Sequence, residues 1–99
     1  MKRFTLSPEA AGDIRAIWAF IAKDNVKAAR RVRTKIFAGC QQVAENPGIG
    51  HSREDLTDKP VLFWPVGRYL IIYRATRKPV EIARVLHGAL DIATILITT

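Results

Sequence analysis

Six side chains in this sequence could move a proton or steady a developing negative charge: His51, Lys59, Arg68, Arg77, Arg84 and His87. They include the types needed to cleave RNA through its 2′-hydroxyl. That reaction takes a group to accept the hydroxyl proton, a group to protonate the leaving oxygen, and cations around the charged phosphorane. Their settings argue against it. His51 sits in a polar stretch with no evident partner, and His87 stands where an apolar run ends before Gly88, a place suited to a turn hydrogen bond. Arg84 shares a strand face with Ile82 and Leu86, so the favoured reading for it is packing or pairing with an acidic residue of a partner. The single cysteine, Cys40, has Ile36 and Val43 at helical spacing and reads as a small buried hydrophobe. One cysteine and two separated histidines make no metal site. No phosphate-binding loop, nucleophile elbow or dinucleotide fingerprint is present, so no catalytic residue, cofactor or metal is expected.

The elements that must position these groups follow from pattern. Residues Lys2 to Leu6 read as a short strand with Phe4 and Leu6 on one face. Ser7-Pro8-Glu9 then starts a helix: a hydroxyl for the orphan amides, proline at the first helical position, and an acid at the positive end of the dipole. Ala10, Ile14, Ile17, Trp18 and Ile21 make its apolar stripe, running to about Lys23. After Asp24-Asn25 a second helix buries Ala29, Val32, Ile36, Cys40, Val43 and Ala44, with Lys27, Arg30, Arg31, Arg33 and Lys35 largely outside. Asn46-Pro47-Gly48 ends it. So short a link makes the two helices an antiparallel hairpin.

Residues 48 to 59 read as a polar surface loop. Three strands follow, Val61 to Val66, Tyr69 to Ala75 and Val80 to Leu86, with connections short enough for hairpins. The middle one, YLIIYRA, is apolar on both faces, which suits a central strand whose second face is covered by another element or by a partner. A short helix from about Leu90 to Leu96 is expected in the tail, where Ile92, Ile95 and Leu96 need a surface to dock on. The order β-α-α-β-β-β predicts an α+β fold, a helical hairpin packed on a small antiparallel sheet.

At 99 residues, one domain spanning residues 1–99 is expected. The opening segment has no apolar run of signal-peptide length and no stretch is long enough to cross a bilayer, so the expected address is cytoplasmic, with no membrane role. The net charge of +7 favours an anionic partner without choosing among nucleic acid, lipid and acidic protein.

Four segments in order resemble the ParE branch of the ParE/RelE toxin superfamily: LSPEAAGDIRAIWAFIAKDN at Leu6 to Asn25, ENPGIG at Glu45 to Gly50, WPVGRYLIIYRA at Trp64 to Ala75, and IARVLHGALD at Ile82 to Asp91. The resemblance implies the toxin of a type II toxin–antitoxin system, of the kind linked to plasmid stabilisation and growth arrest. It implies a ParD-like antitoxin as hetero-oligomeric partner, DNA gyrase as target, and DNA contact only indirectly, through the antitoxin. The RelE branch instead cleaves mRNA on the ribosome. Here VGRYLIIY stands where those enzymes carry a VGDYRVIY-like pattern, so Leu70 replaces their usual arginine. The RVLHGALD ending resembles ParE, although Leu90 stands where that family often has an arginine. A RelE-like endonuclease and a non-toxic corepressor that only binds its antitoxin are the alternative readings.

On this basis the expected antitoxin contacts are Ile14, Trp18, Ile21, Trp64, Arg68, Tyr73 and Arg84, and the expected target contacts are His87, Asp91, Ile95 and Leu96. Trp18 also reads as core, on the stripe of its helix, whereas Trp64, beside Phe63 and Pro65 on an outer strand, is harder to place inside. Asp91 is expected to start the tail helix.

Overall fold

The computed structural model describes residues 3–97. Its elements are β1 (Phe4–Leu6), α1 (Pro8–Ala22), α2 (Val26–Glu45), β2 (Leu62–Val66), β3 (Tyr69–Arg74), β4 (Val80–His87) and α3 (Ile92–Ile97). The sheet order is β1-β4-β3-β2. β2, β3 and β4 form the expected antiparallel meander, while β1 joins its edge parallel to β4, making the sheet mixed.

Local chemistry explains the turns between these elements. Ser7 caps α1 by accepting from the Ala10 amide at 3.0 Å, and its hydroxyl donates to the Ala83 carbonyl at 2.7 Å, tying the helix start to β4. Asn25 caps α2 through the Ala28 amide. Gly67, at φ 58°, makes the tight β2–β3 turn that a side chain would strain. Gly39 serves a different purpose. A Cβ there would lie 2.5 Å from Val66 Cγ2, so its absence lets α2 settle onto the sheet.

The sheet separates two apolar layers. Ile71, Tyr73, Ile82 and Val85 face the helical hairpin, where Ala10, Ile14, Ile36, Cys40 and Val43 complete the larger core. Ile72, Leu86, Val61 and Phe63 face the other way, under Ile92 and Leu96 of α3 and Leu56 of the loop. The second face of β3 is therefore covered by the chain itself. Cys40 is fully buried, as expected, and burial pushes its thiol up to about 12.

One irregularity redirects a predicted side chain. Ile72 pairs with Arg84 but Tyr73 pairs with Ile82, so Ala83 is a bulge residue and the alternation along β4 breaks there. Ile82 belongs to the core under the helices and Leu86 to the opposite one. The expectation that Arg84 shares a face with both is corrected by that extra residue. No helix among the described residues is long and apolar enough to cross a membrane.

Candidate partner-binding face

The helical hairpin is flanked by two apolar clefts. The first, of about 470 Å³, lies between the end of α1, the middle of α2 and the β2–β3 turn. Phe20, Ile21, Val32 and Ile36 line it from the helices, and Val66, Arg68, Tyr69 and His87 from the end of the sheet. The second, of about 720 Å³, is bordered by Leu6 on β1, Ile14 and Trp18 on α1, and Arg33 and Phe37 on α2. Lys35 and Arg68 edge the first cleft, Arg15 and Arg33 the second, and no acidic side chain lines either.

These clefts arise because each helix carries apolar residues beyond its core stripe. Phe20 is 73% exposed, and Phe37 and Val26 are exposed as well. Arg33 lies over the Trp18 ring, 4.6 Å from its centroid, so this half-buried indole has a cationic lid. The Tyr69 ring meets the His87 ring edge-on at 5.3 Å. His87 Nδ1 accepts from the Ala89 amide at 3.0 Å, the expected turn hydrogen bond.

The residues singled out as antitoxin contacts divide sharply. Ile14 and Trp18 meet in the second cleft, and Ile21 and Arg68 in the first. Trp64 is half-buried on edge strand β2, outside both; it packs against the core under α2, and its indole N–H donates to Gln42 at 3.3 Å. Tyr73 must be withdrawn. It is fully buried, its hydroxyl donates to the Pro47 carbonyl at 2.8 Å and accepts from the Gly50 amide at 2.8 Å, and burial raises its pKa. Its tip fastens the end of α2 to the sheet and offers no surface to a partner.

Arg84 is also engaged within the chain. Its Nε and a terminal nitrogen each donate to Asp13 at 2.8 Å, and the Val85 amide donates to the same carboxylate at 3.0 Å. The hydrogen bonds that this arginine donates to Asp13 raise its own pKa. Asp13 thereby holds the stretch of β4 that β1 is too short to cover.

Of the expected target contacts, His87 faces the first cleft, and the other three belong to the α3 region on the opposite face of the sheet. Asp91 is exposed and starts α3, accepting from the Thr94 hydroxyl at 2.8 Å. Ile95 is half-buried. Leu96, 4% exposed, is a core residue here and not a surface one, and Lys59 Nζ donates to its carbonyl at 2.6 Å.

The six groups that could do proton chemistry do not converge. Arg68 and His87 share the first cleft; His51 bridges to Phe63 on β2, Lys59 reaches α3, Arg77 lies beyond β3 and Arg84 is held by Asp13. No cluster that could hold a metal ion occurs among the described residues. The sequence pattern passed over Phe20 and Phe37, and placed Arg33 only among the outward cations of α2. Their signal was position: bulky aromatics off the stripe of an amphipathic helix, and an arginine placed to meet Trp18 across the hairpin.

The described residues thus form an α-hairpin over a mixed four-stranded sheet, with two apolar clefts beside the hairpin. A family model described as the ParE toxin of the type II toxin–antitoxin system parDE matches residues 4–92, and the chain belongs to that family. A solved structure titled as the chromosomal ParDE toxin–antitoxin system from P. aeruginosa shares the fold. Its TM-score is 0.70 at 18% identity, covering 88% of this chain and 96% of that one. None of the curated proteins compared matches the chain.

Proposed function

We propose that this ParE-family chain arrests growth by binding and inhibiting DNA gyrase in the cytoplasm, without catalysis of its own, and that a ParD-like antitoxin neutralises it by occupying the two clefts beside the hairpin. The observation that carries the antitoxin half is the lining of those clefts: apolar floors, arginine and lysine at the rims, and no acid. Such a surface fits an acidic amphipathic segment, whose apolar side chains fill the floors while its carboxylates meet the rims. Ile14, Trp18, Ile21 and Arg68 remain its proposed contacts, joined by Phe20, Arg33 and Phe37. Trp64 is a peripheral contact at most, and Arg84 a positioning residue behind the face.

For the target, His87, Asp91 and Ile95 remain the proposed contacts, with Leu96 as the anchor that keeps α3 in place. The gyrase assignment rests on family membership. The dispersal of the candidate acid, base and cation groups supports a binding mechanism over RNA cleavage.

Two assays test the proposal. Purified protein titrated into gyrase should abolish supercoiling of relaxed plasmid, and the cognate antitoxin should restore it; supercoiling unchanged across a wide concentration range sinks the gyrase reading. Codon-linked mRNA cuts after expression would establish the nuclease instead, and unimpaired growth would establish the corepressor.

A further inference from the structure

We propose that the outward face of the first half of α2 is a second binding site, for the phosphate backbone of double-stranded DNA, so that the toxin itself contacts DNA. Lys27, Arg30, Arg31 and Lys35 lie on that face and all four are exposed. None of them forms an ion pair with another described residue. The second half of the same face carries Ala38, Gln41, Gln42 and Glu45, so the charge is concentrated at one end.

It is concentrated at the unfavourable end. The amino terminus of a helix is the positive pole of its dipole, the first turn of α2 has no acid, and the nearest one in sequence, Asp24, precedes the cap. Lys27, Arg31 and Lys35 also repeat at four-residue spacing, where like charges repel. An ordinary solvated helix face mixes signs and relieves both strains. This one leaves them for an external anion to relieve.

The composition of the stripe selects the anion. No aromatic or large apolar side chain lies among the four cations, only Thr34 and, further on, Ala38. An acidic amphipathic protein segment needs an apolar floor, which the clefts have and this stripe lacks. Single-stranded nucleic acid is held largely by stacking on several aromatic rings, and the one ring on α2, Phe37, lines the second cleft beside Phe4. What remains is a row of charges about 12 Å long, from Lys27 to Lys35 at about 1.5 Å of rise per residue. A duplex strand presents a phosphate about every 3.4 Å of its axis, so several fall within reach of that row. Arg33, turned aside onto Trp18, belongs to the cleft and not to this site. Lys27, Arg30 and Arg31 line neither cleft, whereas Lys35 also edges the first, so an antitoxin seated there competes with the duplex for that one cation.

The test is fluorescence anisotropy of a labelled 20-base-pair duplex of arbitrary sequence, titrated with the full chain between 50 and 200 mM salt. Four phosphate contacts predict a slope of log K against log salt of about −3.6, a loss of roughly 150-fold over that range. Arg31→Gln should lower the slope by about 0.9. Replacing Lys27, Arg30, Arg31 and Lys35 together by Gln should abolish measurable binding. A matched variant with Gln at Arg3, Arg53, Arg77 and Lys78, all exposed and none on α2, should bind as the parent does, although both variants drop the net charge from +7 to +3 by losing four positive charges. Circular dichroism checks that both remain folded. No duplex binding by the parent at 50 mM salt, or equal loss in the two variants, overturns the site. Binding to polyglutamate but not to the duplex overturns it in favour of an acidic protein.

Discussion

Replacing Asp13 by Ala removes one carboxylate that accepts three hydrogen bonds, two from Arg84 at 2.8 Å and one from the Val85 amide at 3.0 Å. The side chains of the pair are only 16% and 13% exposed, so water cannot fully replace what is lost. Breaking a buried pair from one side costs about 3–5 kcal/mol. Partial exposure brings this to roughly 2–4 kcal/mol, of which the orphaned Val85 amide supplies about 1. In a chain of this length each kcal/mol lowers Tm by about 4–8 °C, so Asp13→Ala should melt at least about 8 °C below the parent. Asp13→Asn keeps the shape and some acceptor capacity and should fall between them. Urea unfolding of Asp13→Ala, Arg84→Ala and the double variant gives the coupling, expected near 2 kcal/mol. Single losses under about 0.5 kcal/mol that simply add in the double variant would refute the claim that this pair fastens α1 to β4.

Four further outcomes are expected. Tyr73→Phe leaves the Gly50 amide and the Pro47 carbonyl without their partner and should cost about 1–3 kcal/mol in urea unfolding; a neutral result would mean water replaces the hydroxyl. The Cys40 thiol, raised from 9.0 to about 12, stays protonated in the folded chain while the unfolded chain ionises. Its stabilising effect is thus intact below pH 9 and is lost as pH rises toward 12, by about 1.4 kcal/mol per unit. The stability gap between the parent and Cys40→Ala should therefore shrink over pH 9–11, and a constant gap contradicts the argument. Lys59→Met removes the donor to the Leu96 carbonyl and should speed amide exchange in α3 without changing it in β3, which a uniform change would contradict. Phe20→Ser, at a 73% exposed position, should shift stability by no more than about 0.5 kcal/mol, yet weaken antitoxin binding at least about tenfold by calorimetry.

The element order was legible because apolar periodicity and capping residues agree. Ser7-Pro8 and Asn46-Pro47 set helix ends within a residue of those observed, and Gly67-Arg68 marked the hairpin turn. What pattern could not carry was the destination of polar tips. YLIIYRA announces burial on both faces but not that the Tyr73 hydroxyl ends on Pro47 and Gly50, a contact between segments 26 and 23 residues away. One extra residue, Ala83, shifted the β4 alternation and with it the reading of Arg84, since a bulge leaves no mark in a run as apolar as VEIARVLH. The direction of β1 was equally hidden. Three residues cannot specify parallel or antiparallel pairing, and here the Ser7 contacts with Ile82 and Ala83 hold it.

Because α3 and Leu56 close the back of the sheet, the fold needs no partner to bury its apolar strands. What it leaves uncovered lies elsewhere, in Phe20, Phe37 and the clefts beside the hairpin. That arrangement suits a chain that must be stable both free and inhibited: a ligand of the folded state adds stability by mass action without being required for folding. It also separates two kinds of cation. Arg33 and Arg68 border apolar floors, where a desolvated partner makes each charge count, while Lys27, Arg30 and Arg31 of the α2 stripe line neither cleft and face open water, where a polyanion gains chiefly by releasing its counterions. Raising salt should therefore strip the duplex from the stripe well before it dislodges an antitoxin from the clefts.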